Sequence, residues 1–121
     1  MNILIADDSK TMARLLGAMV SKLGHQVVGH APDGAEAVRM AMELAPDLVF
    51  LDILMPEMTG LEALRIIRAR NKRIQVIVVS SVSGVGENLQ KAVELGAIAV
   101  LSKPIKADDV RKALEACTAG S

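Results

Sequence analysis

The chain has 121 residues, of which 51% are apolar and 23% are charged. This composition is typical of one folded domain and excludes an intrinsically disordered chain. Because 14 basic residues balance 14 acidic ones, no net positive charge is available to attract nucleic acid or anionic lipid. We therefore expect a single domain over 1–121, with neither nucleic acid nor a membrane as its partner.

The cysteine content and the N-terminal segment predict a location. The single cysteine, Cys117, cannot form an internal disulfide, which fits a reducing compartment. The N-terminal segment lacks the basic region of a signal peptide, and no apolar stretch is long enough to span a membrane. We therefore expect a cytoplasmic protein.

The first strand and helix are predicted from apolar spacing. A short apolar run from Ile3 to Ala6 predicts a strand that ends at Asp7 and Asp8. Apolar residues then recur at helical spacing over 12–23, with Ser9 or Asp8 as the N-cap. Gly24 is well placed to end this helix, as glycine often does.

The second strand and helix follow. Residues 26–31 predict a strand closed by the turn pair Asp33-Gly34. The next helix ends at Pro46, because the residue before a proline disfavours the helical conformation. Its inner face is predicted to carry Ala35, Val38, Met42 and Ala45.

The third strand is the most distinctive segment. Leu48 to Leu51 form an unbroken apolar run, typical of a strand buried on both faces of a parallel sheet, and Asp52 follows directly. Thr59 and Glu62 have the spacing of a capping box, which predicts the start of the third helix. The inner face of that helix is predicted to carry Leu61, Leu64 and either Ile66 or Ile67.

The remaining elements alternate in the same way. Strands are predicted over 74–79, ending at Ser80-Ser81, and over 98–101, followed at once by Lys103-Pro104. A loop through Gly84 and Gly86 leads to a fourth helix, and Asp108 is predicted to cap the last one. The inner faces are predicted to be Leu89, Ala92 and Val93 in the fourth helix, and Val110, Ala113, Leu114 and Cys117 in the fifth.

Five strands alternating with five helices predict an α/β fold. The simplest arrangement is a doubly wound (βα)5 three-layer sandwich of the flavodoxin-like type, with a parallel sheet in the order 2-1-3-4-5. In such a sheet, ligands bind at the carboxyl ends of the strands where the strand order reverses. Asp7, Asp8 and Asp52 are all expected at that edge.

The residues at this edge indicate phosphoryl chemistry. Three neighbouring carboxylates repel one another, so a divalent cation or the Lys103 ammonium must balance them. Ligands that are all oxygen favour Mg²⁺, which retains open positions for phosphate oxygens. A carboxylate can itself accept a phosphoryl group, while a serine hydroxyl and a lysine neutralise the transferred charge. His25 and His30 show no ligand spacing and are expected at the surface.

Taken together, these motifs resemble the receiver domain of two-component response regulators. They are Asp7-Asp8, Asp52 followed by Met55-Pro56 and Gly60, Ser80, and Lys103-Pro104, in matching order along the whole chain. The resemblance implies that a sensor histidine kinase phosphorylates Asp52. It implies that Asp8, Asp52 and the Leu54 carbonyl ligate Mg²⁺, with Asp7 acting mainly through water. Ser80 would be the switch hydroxyl and Lys103 the phosphate contact, with a cis bond to Pro104.

Within this family the chain is most similar to chemotaxis regulators. Residues 8–12 resemble the opening of the CheY-like messenger, and residues 80–84 and 94–97 resemble the receiver of the CheB methylesterase. The resemblance implies a CheA-like kinase and an output protein or domain bound by helix 4, strand 5 and helix 5. A free-standing regulator and a receiver from a longer protein both fit.

The chain departs from the family pattern in three ways. The spacing from Asp52 favours Ser80 as the switch hydroxyl, whereas the spacing back from Lys103 favours Ser81. Val100 stands where many receivers carry a rotating aromatic residue, so aromatic gating is not expected. Leu54 and Val82 are apolar where receivers often place the hydrolytic water, which predicts a long-lived phosphoryl group.

Two alternatives come from other functional classes. A magnesium-dependent phosphohydrolase would need an acid two residues after Asp52, and Leu54 stands there. A non-phosphorylated interaction module would lack one of the key residues, and the chain keeps them all. We therefore expect a phosphoacceptor switch that assists only its own phosphorylation and dephosphorylation.

Overall fold

The computed structural model describes residues 1–81 and 85–119 of the chain. Strands and helices alternate throughout, as predicted. None of the described helices is long and apolar enough to cross a membrane. The elements are β1 (Asn2–Ala6), α1 (Lys10–Lys22), β2 (Gln26–Ala31), α2 (Gly34–Leu44), β3 (Leu48–Asp52), α3 (Gly60–Arg70), β4 (Gln75–Ser80), α4 (Val85–Glu94), β5 (Ala99–Ser102) and α5 (Ala107–Ala119).

The five strands form one parallel sheet in the order β2-β1-β3-β4-β5, which confirms the predicted fold. The register aligns the carboxyl ends of the strands. Ala6 pairs with Leu51 between β1 and β3, and Asp52 pairs with Val79 between β3 and β4. Residues that follow β1, β3 and β5 therefore lie at one edge of the sheet.

Two apolar clusters lie on opposite faces of the sheet. Val49 and Leu51 of β3 belong to the cluster covered by α2, α3 and α4. Leu48 and Phe50 belong to the other cluster, which α1 and α5 cover. Alternate residues of a strand point to opposite faces, so a strand covered on both sides must be apolar throughout. This accounts for the unbroken apolar run before Asp52.

N-cap residues fix where the first three helices begin. The Ser9 hydroxyl accepts a hydrogen bond from the Met12 N–H, so Ser9 rather than Asp8 is the N-cap of α1. Thr59 caps α3 by accepting from the Glu62 N–H, as predicted. The interpretation of Asp33-Gly34 as a turn pair was wrong. Asp33 caps α2 through the Glu36 N–H at 2.8 Å, because an aspartate side chain can satisfy the free donors of a first helical turn.

The predicted inner face of α2 was wrong in part. The buried residues of α2 are Gly34, Ala37, Val38 and Ala41, whereas Ala35 and Ala45 are exposed and Met42 is half-buried. Small apolar residues occur around most of this helix, so their spacing does not define one face. Packing against the sheet and α3 decides which alanines are buried. In α3, Leu64 and Ile67 are buried, as predicted.

The last two helices also required corrections. In α4, Ala92 is fully buried, but Leu89 and Val93 are 44% and 54% exposed instead of facing the core. In α5, the predicted inner face is buried, but Asp108 lies inside the helix, where it pairs with Arg111. An acid in the first turn is favourable there because the helix dipole is positive at that end. Val82 and Gly84 lie outside the described residues.

Candidate functional site

Three carboxylates meet at the carboxyl edge of the sheet. Asp7 and Asp8 follow β1, and Asp52 ends the neighbouring strand β3. One oxygen from each of the three lies within 4.8 Å of the others. Asp7 and Asp52 are buried, whereas Asp8 is exposed. The predicted meeting of acids from two strand ends is therefore confirmed.

Lys103 provides one positive charge at this cluster. Its Nζ lies 2.9 Å from the Oδ2 of Asp52 and 3.7 Å from the Oδ2 of Asp7. The Lys103 N–H donates to the Ser80 carbonyl at 2.8 Å, which places the lysine directly after β5. The peptide bond from Lys103 to Pro104 is cis, as expected. One ammonium faces three carboxylates, so the cluster retains an excess of negative charge.

Burial and neighbouring charges shift two pKa values in this cluster. The pKa of Asp7 lies above its ordinary value, mainly because burial disfavours the charged form, and repulsion by Asp52 adds to this. The Ser9 N–H, which donates to Asp7 at 2.8 Å, offsets part of that shift. Partial burial by itself lowers the pKa of Lys103, but the hydrogen bond and attraction to Asp52 outweigh it and raise that pKa overall. The lysine is therefore charged at neutral pH.

The backbone around Asp52 holds its carboxylate in place. The Leu54 N–H donates to the Oδ1 of Asp52 at 3.1 Å, while Lys103 occupies the Oδ2. The Gly60 N–H donates to the Ile53 carbonyl at 2.9 Å and closes the loop that follows β3. A Cβ at position 60 would collide with the Asp52 carbonyl oxygen, so the start of α3 requires glycine for this close approach.

The two serines at the end of β4 differ in exposure. Ser80 is 2% exposed and lies one residue beyond Val79, the strand partner of Asp52. Ser81 is exposed. Of the other positions that depart from the family pattern, Val100 is half-buried against the apolar cluster and the Leu54 side chain is 71% exposed.

Sequence reasoning missed one residue that contacts the site. His30 of β2 was expected at the surface, but it is half-buried, and its Nε2 donates to the Asp7 carbonyl at 2.7 Å. His25 is also half-buried. In the register, His30 lies beside Ile5, two residues before Asp7. The strand order alone would have placed His30 near the acids, since β2 is the other neighbour of β1.

The donor set suits a hard divalent cation. Every candidate ligand is a carboxylate oxygen, and the cluster as described contains no imidazole or thiolate ligand. Lys103 neutralises only part of the charge, so a cation at the three acids would relieve the remaining repulsion.

Comparisons with known proteins agree with this geometry. The family model described as "Response regulator receiver domain" matches residues 3–115. The chain is 40% identical over 115 residues to a chemotaxis protein CheY of Listeria monocytogenes, covering 95% of this chain and 96% of that protein. It is 43% identical over 106 residues to a protein-glutamate methylesterase/protein-glutamine glutaminase of Myxococcus xanthus, covering 87% of this chain and 30% of that protein.

Solved structures give the same result. The CheX-CheY-BeF3-Mg complex of Borrelia burgdorferi has a TM-score of 0.92 at 29% identity, covering 98% of this chain and 89% of that chain. The response regulator domain of Thermotoga maritima CheB has a TM-score of 0.84 at 32% identity, covering 98% of this chain and 96% of that chain. The family and fold predicted from the sequence are thus confirmed.

Proposed function

Because the chain belongs to the response regulator receiver family, whose members are phosphoacceptor switches, we propose that Asp52 is its phosphoacceptor. The observation that carries the proposal is the Lys103 ammonium 2.9 Å from the Asp52 carboxylate, beside the acids that follow β1. A buried carboxylate with a fixed cation on one oxygen is held in one orientation, as a nucleophile must be. The phosphoryl donor is a sensor histidine kinase, CheA-like in this type of regulator.

Asp52, Lys103 and Ser80 have separate roles in the phosphoryl transfer. An oxygen of Asp52 attacks phosphorus, the bond from phosphorus to the donor nitrogen breaks, and the electron pair leaves with that nitrogen. Lys103 contacts an oxygen of the transferred group and offsets its charge. Ser80 is the switch hydroxyl, supported by its burial at the strand end beside β3, whereas Ser81 faces solvent.

Mg²⁺ is the proposed cofactor. Asp8, Asp52 and the Leu54 carbonyl would hold it, with Asp7 acting mainly through water. When bound, it supplies positive charge opposite the transferred phosphoryl group. The acids fit this role because they converge within 4.8 Å with one lysine as their counter-charge.

The test is phosphorylation by a small donor. With acetyl phosphate and Mg²⁺, intact mass should show one added phosphoryl group, and Asp52→Asn should abolish it. The matched control is Asp47→Asn, which makes the same change to an exposed acid just before the same strand. Absence of an adduct with any small donor, or an adduct that persists in Asp52→Asn, would overturn the proposal and favour the interaction module.

The output partner is proposed to bind the face formed by α4, β5 and α5. Exposed apolar residues support this, since Leu89 and Val93 of α4 and Ile98 before β5 are at least one-third exposed. Residues 1–121 would form a single receiver domain that acts in the cytoplasm. It would assist only its own phosphorylation and dephosphorylation, and its output would be a change in partner binding.

The phosphoryl group is proposed to be long-lived. Leu54 and Val82 are apolar where a polar side chain would hold the attacking water, and Leu54 is 71% exposed beside Asp52. Loss of the adduct mass over time at neutral pH measures this directly. Complete loss within seconds would contradict it.

A further inference from the structure

A groove separate from the acid cluster lies between α1 and the edge strand β2. It is open to solvent, has a volume of about 470 Å³, and is lined by the buried Ile5 and the half-buried Val27 and Gly17. Lys10 and Arg14 line it from successive turns of α1. Small residues of α1, such as Gly17, leave room for the groove. A methyl group added at Gly17 would still lie 3.6 Å from its nearest neighbour, Val27.

The two cations of this groove are uncompensated. In the described part of the chain, neither Lys10 nor Arg14 has a hydrogen bond or ion pair through its side chain. They stand four residues apart on one helix, where like charges repel. Arg39 of α2, by contrast, is held between Glu36 and Glu43.

The sequence around Arg14 offers no such partners. In α2, acids stand three residues before Arg39 and four residues after it. At the same two distances from Arg14, α1 carries Thr11 and Ala18. His30 adds an imidazole to the same groove, and no carboxylate is among the described residues that line it. The groove therefore combines an apolar surface with positive charge at the end nearest the start of α1.

We propose that this groove binds a small organic anion with an apolar body and one carboxylate, sulfonate or phosphate head. Its volume falls in the range of small-molecule sites, which are mostly apolar with a few convergent polar groups. The anionic head would lie between Lys10 and Arg14, where it relieves their repulsion. The apolar body would cover Val27 and the Gly17 backbone.

A second groove, between α1 and α5, serves as an internal comparison. It is larger, about 630 Å³, and is lined by Leu15, Met19 and Leu23. Its cations are Lys22 and Arg111, and Arg111 is held by Glu115 and by Asp108, an acid that also lines this groove. If apolar surface alone attracted the ligand, this second groove would bind it better. The proposal therefore predicts a preference for the groove beside β2.

The test uses anilinonaphthalene sulfonate, an apolar body with one anionic head, followed by amide NMR shifts. We expect saturable binding of one molecule per chain, with the largest shifts at Gly17, Val27 and His30. Arg14→Glu should weaken binding about tenfold or more, because it replaces a charge-assisted contact with repulsion. Arg14→Lys should retain binding within about threefold, since the charge remains.

Two control variants distinguish binding in this groove from binding elsewhere on the chain. Arg70→Glu makes the same charge change on α3, away from the groove, and should leave binding unchanged. Asp52→Asn should also leave it unchanged, so failure of the phosphoacceptor proposal would not be confused with failure of this one. If Arg14→Glu is not folded by circular dichroism, Arg14→Gln replaces it, with a smaller loss expected.

Three results would overturn the proposal. The largest shifts could fall on Leu15 and Leu23 in the second groove, or Arg70→Glu could weaken binding as much as Arg14→Glu. Inorganic phosphate could also bind as tightly as the organic probe, which would show that the apolar lining contributes nothing.

Discussion

Within residues 1–81 and 85–119, ion pairs occur in two regions, at the carboxyl edge of the sheet and on the outer surface of the helices. At the edge, Lys103 lies 2.9 Å from Asp52, with side chains 29% and 7% exposed. On α2, Arg39 lies 2.6 Å from Glu36, with side chains 57% and 40% exposed. The distances are similar, but only the first pair is shielded from water. Burial, not distance, therefore determines which charges matter to stability and chemistry.

The largest predicted effect comes from removing the half-buried Lys103 ammonium. Lys103→Met should destabilise the metal-free protein by about 2 kcal/mol at pH 7, because Asp7 and Asp52 then stay buried without a counter-charge. Urea unfolding in the presence of a chelator measures this. The control is Lys106→Met, an exposed lysine of the same segment, for which little change is expected. Equal effects of the two variants would contradict the comparison.

A gain in stability should follow from removing one buried acid. Asp7→Asn should stabilise the metal-free protein by about 1 kcal/mol at pH 7, because burial and Asp52 already disfavour the charged form of Asp7. Asp8→Asn should give a smaller gain, since Asp8 is exposed. Thermal unfolding with and without Mg²⁺ checks both variants. A loss of stability in Asp7→Asn without metal would contradict this prediction.

The same acid predicts the sign of one pH dependence. Its pKa is raised on folding, so just above the ordinary aspartate pKa of about 4 the native state binds more protons than the unfolded state. Through that range, the Asp7 contribution to the free energy of unfolding falls as pH rises. The difference in stability between the wild type and Asp7→Asn should therefore grow from pH 4 upward and then level off. A difference that shrinks instead would reverse the assigned shift.

The smallest effect is expected at the helix surface. Arg39→Gln removes both ion pairs of Arg39, yet the urea midpoint should stay within experimental scatter at physiological salt, because exposed pairs are screened by water and ions. A shift as large as that of Lys103→Met would remove the distinction between the two regions.

Features that depend on a strong local pattern were predictable from the sequence. The unbroken apolar run of 48–51 predicted a central strand, and the position of Asp7, Asp8, Asp52 and Lys103 at strand ends predicted one shared edge. Parallel strands bring their carboxyl ends together in any such sheet. The cluster therefore followed from topology without knowledge of any side-chain conformation.

Features that depend on packing between distant segments were not predictable. The buried face of α2 is set by Ala37 and Ala41, whose neighbours belong to other elements, and alanine spacing alone does not select them. Exposure of Leu89 and Val93 was missed because apolar periodicity predicts burial regardless of function. The His30 bond to Asp7 joins residues 23 positions apart and has no local signal, although the strand order places β2 beside β1.

The close approach of Gly60 to the Asp52 backbone has a mechanical consequence. No side chain separates the end of β3 from the first turn of α3, so the two backbones are in direct contact at their junction. Gly34, at the start of α2, is equally tight against the Met58 backbone. We expect this half of the molecule to move as one stiff block, so that any displacement started at Asp52 is absorbed by the opposite half, through β4, β5 and their helices.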